Sequence, residues 1–218
     1  QMKILVLGAN GMLGNACINY FGQSPLFQVT GTVRSESACD IFSRQNRALI
    51  LPGVNIANEE IQKRLFEEVR PDVVINCVGV VKQVSAENSS LSSIILNSVL
   101  PHQLSLRCDE YGVRLIQVST DCVFSGLKGV PYVELDESDA CDLYGRTKYL
   151  GEISDRSNVL TLRTSYIGNE LNTAHGLLEW FLAQGEECQG YTRAIYSGLP
   201  SIIFVKVLES VLLKHGGL

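Results

Sequence analysis

Apolar residues fall into two kinds of run along this chain. Short, nearly continuous ones at residues 3–7, 27–33, 48–54, 73–76, 113–118 and 159–163 have the length of strands buried on both faces. Stretches with helical spacing separate them. These are 13–21, 59–69 (with Ile61, Leu65 and Phe66 on one side), a long helix leaving the serine-rich stretch 82–93 and running to about Cys108, and 144–153. Pro52-Gly53 interrupts the third strand, and 126–142 reads as an acidic, turn-rich loop. Regular alternation of strand and helix predicts an α/β fold, a doubly wound parallel sheet with helices on both faces and right-handed crossovers. Past Thr164 the alternation loosens. An apolar helix is expected at 176–184, an irregular stretch at 185–200 and a last amphipathic helix at 205–214.

Composition narrows the class. With 218 residues the chain can bury a sizeable core, and a net charge of −5 with scattered Lys and Arg argues against a nucleic-acid partner. The seven Cys are odd in number and form no Cys-x-x-Cys pair, and the three His share no metal-like spacing with them. Free thiols in a reducing compartment and no metal site are expected, with the protein cytoplasmic. The apolar run at residues 4–7 is too short for a signal peptide, and 202–213, broken by Lys206, Glu209 and Ser210, falls short of a membrane span.

Chemistry concentrates at strand ends. After the first strand comes Gly8-Ala9-Asn10-Gly11-Met12-Leu13-Gly14, and a helix follows. Strand, glycine turn and helix make a phosphate site of the Rossmann type, because backbone can approach a pyrophosphate closely and the helix N-terminus faces the anion. The spacing is G-x-x-G-x-x-G, which departs from the commonest fingerprint. Arg34-Ser35 follows the second strand, where an acid would meet a ribose hydroxyl and an Arg a 2′-phosphate, so NADP is favoured over NAD. The fourth strand ends in Asn76-Cys77-Val78-Gly79, lining the crevice at the strands' carboxyl ends. Ser119 and Thr120 close the fifth strand. Tyr144 and Lys148 then lie four apart, on one helical face, where a cation favours the phenolate and makes a proton donor suited to neutral pH. Asn97 falls among apolar neighbours, either as a satisfied structural amide or as a holder of a catalytic water.

With these motifs in hand, the chain resembles the extended short-chain dehydrogenases/reductases, and within them the dTDP-4-dehydrorhamnose reductase group. The resemblance covers Met2 to about Pro200. It implies a Rossmann-type domain at 1–165 and a partial substrate-binding region at 166–218, short by the group's standard. It also implies NADP-dependent reduction of the keto group of a nucleotide-linked 4-dehydro-6-deoxy sugar. Tyr144 would be the proton donor, with Lys148 and Thr120 assisting. Gly8, Asn10, Gly11, Met12, Leu13, Gly14, Arg34, Asn55, Ile56, Cys77, Val78, Gly79, Ser119, Tyr144 and Lys148 would hold the cofactor. Lys82, Thr120 and Ser165 would meet the substrate. Asn55 stands where the group usually has Asp, and Cys122 where it usually has Tyr. A nucleotide-sugar epimerase or dehydratase, and a non-catalytic NADP-binding regulatory subunit, are the alternatives. A homodimer is compatible with all three.

Overall fold

A computed structural model of the chain describes residues 1–80, 89–171 and 176–214. The first strand, β1 (Met2–Leu7), explains the architecture, because Ile4, Leu5, Val6 and Leu7 are all fully buried. Alternate residues of a strand point to opposite faces, so such a strand must be central and covered on both sides. Ile4 and Val6 pack into one core with helices α1 (Met12–Phe21) and α8 (Ser201–Lys214). Leu5 and Leu7 pack into a second core with α3 (Glu59–Val69) and α5 (Leu100–Tyr111).

The remaining strands are β2 (Phe27–Thr32), β3 (Ile50–Leu51), β4 (Val73–Asn76), β5 (Arg114–Val118) and β6 (Val159–Leu162). With β1 they form one sheet in the order β3-β2-β1-β4-β5-β6, every pair parallel. This is the doubly wound Rossmann order, and its direction reverses between β1 and β4, where ligands of such sheets sit.

Several boundaries differ from expectation for physical reasons. The third strand, expected over 48–54, pairs only at Ile50–Leu51. Pro52 has no N–H to give, and Gly53 turns left-handed at φ +74°. On α3 the buried side is Gln62, Leu65 and Phe66; Gln62 replaces Ile61 because its amide donates to the Ile56 carbonyl at 2.8 Å. The long helix runs from α4 (Ser89–Ser93) through a π segment (Ile94–Val99) into α5 and reaches Tyr111. Helix α6 (Leu143–Leu150) stops before Gly151, whose backbone presses on the Asn97 carbonyl so closely that a Cβ would not fit.

Two short helical pieces at Glu36–Cys39 and α2 (Arg44–Arg47) follow β2, where no element was expected. Beyond β6, strands β7 (Tyr166–Ile167) and β8 (Leu199–Pro200) make a small parallel pair, and α7 (Leu177–Leu182) lies between them. Helix α8 begins four residues before the expected start, directly after β8. It packs Phe204, Val205, Leu208 and Leu212 against the core, and Tyr20 of α1 bonds Glu209 at 2.7 Å. No helix of the described residues is long and apolar enough to cross a membrane.

Candidate active site

The glycine turn after β1 is built by backbone crowding. Gly8 sits at φ +75°, a conformation that a Cβ disfavours, and a Cβ there would press on Val78 Cγ2 at 3.1 Å. A Cβ on Gly14 would run into the Gly8 carbonyl oxygen. Gly11 differs from both. It is exposed, and the nearest atom to a Cβ there is 3.5 Å away, so the protein itself does not require glycine at this position. Gly11 is also the N-cap of α1, where it supplies no capping side chain, and the first turn carries no acid. The helix N-terminus is therefore left accessible to an anion. Leu13 is buried in the core, which leaves its backbone as its only means of meeting a ligand. Asn10 and Met12 are half-buried beside it.

The opposite wall hangs from β4. Asn76 donates to Gln117 Oε1 at 2.8 Å and accepts from Val78 N at 3.1 Å, which bends the chain out of the sheet. Cys77 N still bonds the Leu7 carbonyl at 3.1 Å, tying this wall to the end of β1. Asn97, from the π segment, accepts from Val80 N at 2.8 Å. Its amide nitrogen donates to the Val80 carbonyl at 3.0 Å and to Thr147 Oγ1 at 3.2 Å. Of the two roles open to Asn97, the structure favours the structural amide: it clamps the wall. A Cβ on Gly79 would lie 3.3 Å from Asn97 Oδ1 and 3.8 Å from Lys148 Nζ, filling space between the wall and α6.

Beyond β2, Arg34 is exposed, and the hydroxyls of Ser35 and Ser37 lie 3.1 Å apart beside it. Asn55 is exposed too. Ile56 points into the second core with its carbonyl taken by Gln62, so its side chain is turned away from the crevice.

The catalytic candidates meet where β5, α6 and β6 end. Asp142 caps α6 by accepting from Gly145 N at 2.7 Å, which starts the helix so that Tyr144 and Lys148 share a face. Tyr144 is half-buried, whereas Lys148 is 6% exposed and donates to the Val118 carbonyl at 2.6 Å. Burial pulls the Lys148 ammonium down to about 8, while negative charge at Cys77 and Glu152 pushes it back up. Thr120 Oγ1 accepts from Cys122 N at 3.1 Å and donates to Asp121 Oδ1 at 3.2 Å. The same carboxylate oxygen takes a 2.6 Å bond from Ser165 Oγ. Ser119 Oγ donates to Glu152 at 2.6 Å.

Of the predicted residues, Gly8, Cys77, Val78 and Gly79 meet at the carboxyl ends of β1 and β4 and Lys148 reaches toward Gly79, whereas the side chains of Leu13 and Ile56 are turned into the two cores and Arg34 and Asn55 are exposed. Lys82 lies outside the described residues. Sequence reasoning missed Glu152 and the two phenols of Tyr166 and Tyr196, and did not foresee the bonds that Asp121 and Arg163 make. Burial raises Tyr166 far above the ordinary phenol value, helped by charge at Cys77 and Tyr144, so this ring stays a neutral wall. For Glu152 the spacing of four residues from Lys148 was a faint signal, silent about its partners Ser119 and Arg163. Among the described residues no group of three or more His, Cys, Asp or Glu could hold a metal ion.

A dTDP-4-dehydrorhamnose reductase of Burkholderia thailandensis is 29% identical over 169 residues, which are 76% of this chain and 50% of that one. The structure of a dTDP-4-dehydrorhamnose reductase from Clostridium acetobutylicum superposes with a TM-score of 0.76 at 22% identity, covering 98% of this chain and 71% of that one. A dTDP-4-dehydrorhamnose reductase from Bacillus anthracis, solved in complex with NADP, gives 0.60 at 20% identity over 77% of this chain and 55% of that one. The chain spans about half the length of the curated relatives it matches. The family described as RmlD substrate binding domain matches residues 2–187, nearly the whole chain, and this protein belongs to it.

Proposed function

We propose that this protein takes part in NADP-dependent reduction of the keto group of a nucleotide-linked 4-dehydro-6-deoxy sugar, as a dTDP-4-dehydrorhamnose reductase does. The observation that carries this is the convergence on Lys148. Its buried ammonium stands 3.8 Å from the Cβ position of Gly79 on the cofactor wall and on the same helical face as Tyr144. Residues 1–165 then hold the cofactor, and 166–218 contribute part of the substrate side.

The residues present fit NADP. The glycine turn and the uncapped N-terminus of α1 suit a pyrophosphate, with backbone of Gly8, Gly11, Met12, Leu13 and Gly14 facing it and Asn10 beside them. Arg34, flanked by Ser35 and Ser37, suits a 2′-phosphate and favours NADP over NAD. Cys77, Val78 and Gly79 line the other side, with Asn55 and the backbone of Ile56 toward the adenine.

When bound, NADPH supplies hydride to the carbonyl carbon. Tyr144 gives its phenolic proton to the keto oxygen as negative charge develops there, help of a kind typically worth about 10²–10⁴-fold. Lys148 holds ribose hydroxyls and, as a cation, favours the phenolate that remains. Ser119 stands beside it on the cofactor side. Thr120 reaches the same oxygen by turning from Asp121, its 3.2 Å bond being the longer of the two that carboxylate oxygen accepts. Ser165, whose hydroxyl lies on Asp121 at 2.6 Å, stands on the sugar side. The engagement of Asp121 by two hydroxyls speaks against using it as the acid of a dehydratase. A reaction drawing on NADPH suits the cytoplasm.

The test is loss of NADPH absorbance on adding a dTDP- or UDP-linked 4-keto-6-deoxy sugar to the full-length protein. Turnover that vanishes in Tyr144→Phe, with NADPH still bound, supports the proposal. NADPH binding without turnover on any such sugar would favour the regulatory alternative.

A further inference from the structure

Behind the row of hydroxyls lies a charged cluster to which the proposed reaction assigns no part. Glu152 comes two residues after α6 ends, with 10% of its side chain exposed. Arg163 grips it through Nε to Oε1 at 3.0 Å, Nε to Oε2 at 3.1 Å and Nη2 to Oε2 at 2.7 Å. The guanidinium is itself held, by the Glu134 carbonyl at 3.1 Å and by the Phe124 ring, whose centre is 5.0 Å from Cζ. Thus the carboxylate has one orientation. A carboxylate can only accept, so in the 2.6 Å contact between them Ser119 must donate. Its hydroxyl then offers a ligand lone pairs alone.

We infer that Glu152, clamped by Arg163, is a positioning residue of the site: it fixes Ser119 as a hydrogen-bond acceptor and holds a negative charge beside the buried Lys148 ammonium. The inference rests on the role proposed above for Lys148. Around that ammonium, Cys77 at the end of β4 and Tyr144 on α6 also titrate, and Arg163 stands behind the carboxylate. Burial pulls Lys148 down, and the opposing charges are those of Cys77 and Glu152. The hydrogen bonds set the two groups side by side: Lys148 Nζ bonds the Val118 carbonyl at 2.6 Å, and Glu152 takes the hydroxyl of Ser119, the next residue, at 2.6 Å, with Arg163 screening the carboxylate in part.

The experiment is an NMR titration of the full-length protein with ¹³Cε-labelled lysine, the Lys148 signal being the one absent in Lys148→Met. In Glu152→Gln the Lys148 midpoint is expected to fall by about 1 pH unit. In Arg163→Met, which unmasks the carboxylate, it is expected to rise. This second variant keeps the test decisive if the first does not fold. A purely structural role lowers the melting temperature and moves neither midpoint, and that result overturns the inference. No substrate is needed. Opposite shifts without sugar turnover would uphold the coupling and sink the proposed reaction; turnover with unmoved midpoints would do the reverse.

Discussion

Two regions of the molecule are made of different material. At the ends of β1 and β4 the surface is packed backbone: Gly8 and Gly14, which a Cβ would crowd, on one side, Val78 and Gly79 on the other. They are locked by the Cys77–Leu7 bond and the Asn97 clamp. Residues 176–200, by contrast, present large apolar side chains to solvent, with Ile195 98% exposed and Leu182 68%. Packed backbone tolerates almost no change, whereas exposed side chains can be rewritten without harm to the fold. The glycine turn is therefore specified by shape, and the exposed stretch by whichever side chains it displays.

Substitutions can break this contrast. The largest effect is expected for Tyr144→Phe, with kcat down by about 10²–10⁴-fold and the NADPH dissociation constant within about 3-fold in a fluorescence titration. Next comes Lys148. Its folded-state value of about 8 lies below the ordinary 10.5, so between those limits the unfolded chain binds more protons. Stability then rises with pH through that window, by at most about 3 kcal/mol. Lys148→Met should lack this rise in urea melts taken from pH 7 to 10.5, and its advantage over wild type should be greatest below pH 8.

Gly14→Ala should cost about 1–3 kcal/mol in the same melts and weaken NADPH binding, since the new methyl meets the Gly8 carbonyl. Arg34→Ala should lower the preference for NADPH over NADH by about 10-fold, through loss of a charge-assisted phosphate contact. At the far end, Phe181→Ser on exposed α7 should change stability by no more than about 0.5 kcal/mol. A large loss there would mean that the exposed side is as tightly specified as the glycine wall.

Much of the fold was legible because buried parallel strands are continuous apolar runs and covering helices are amphipathic: strand Val73–Asn76 and helix Glu59–Val69 fall where the two patterns put them. The glycine turn was legible for the same local reason, its conformation being dictated by neighbours in sequence. Contacts made at long range were not. Gly151 ends α6 against the Asn97 carbonyl, 54 positions earlier, and the bend of Asn97 into a π turn has no signature of its own. Glu152 was hidden for a related reason. Its partners Ser119 and Arg163 come from two different strand ends, and only the sheet brings them together.

The central place of β1 also bears on how the protein is made. Its register joins Ile4 to Val29 on one side and to Val73 on the other, partners that leave the ribosome at very different times. Strand β1 must wait for β4 before both its edges are paired, and non-local parallel pairing of this kind is slow and exposes apolar edges meanwhile. The opposite wall of the crevice arrives with that same strand, so a nascent chain can gain ligand affinity only after its riskiest docking step is complete.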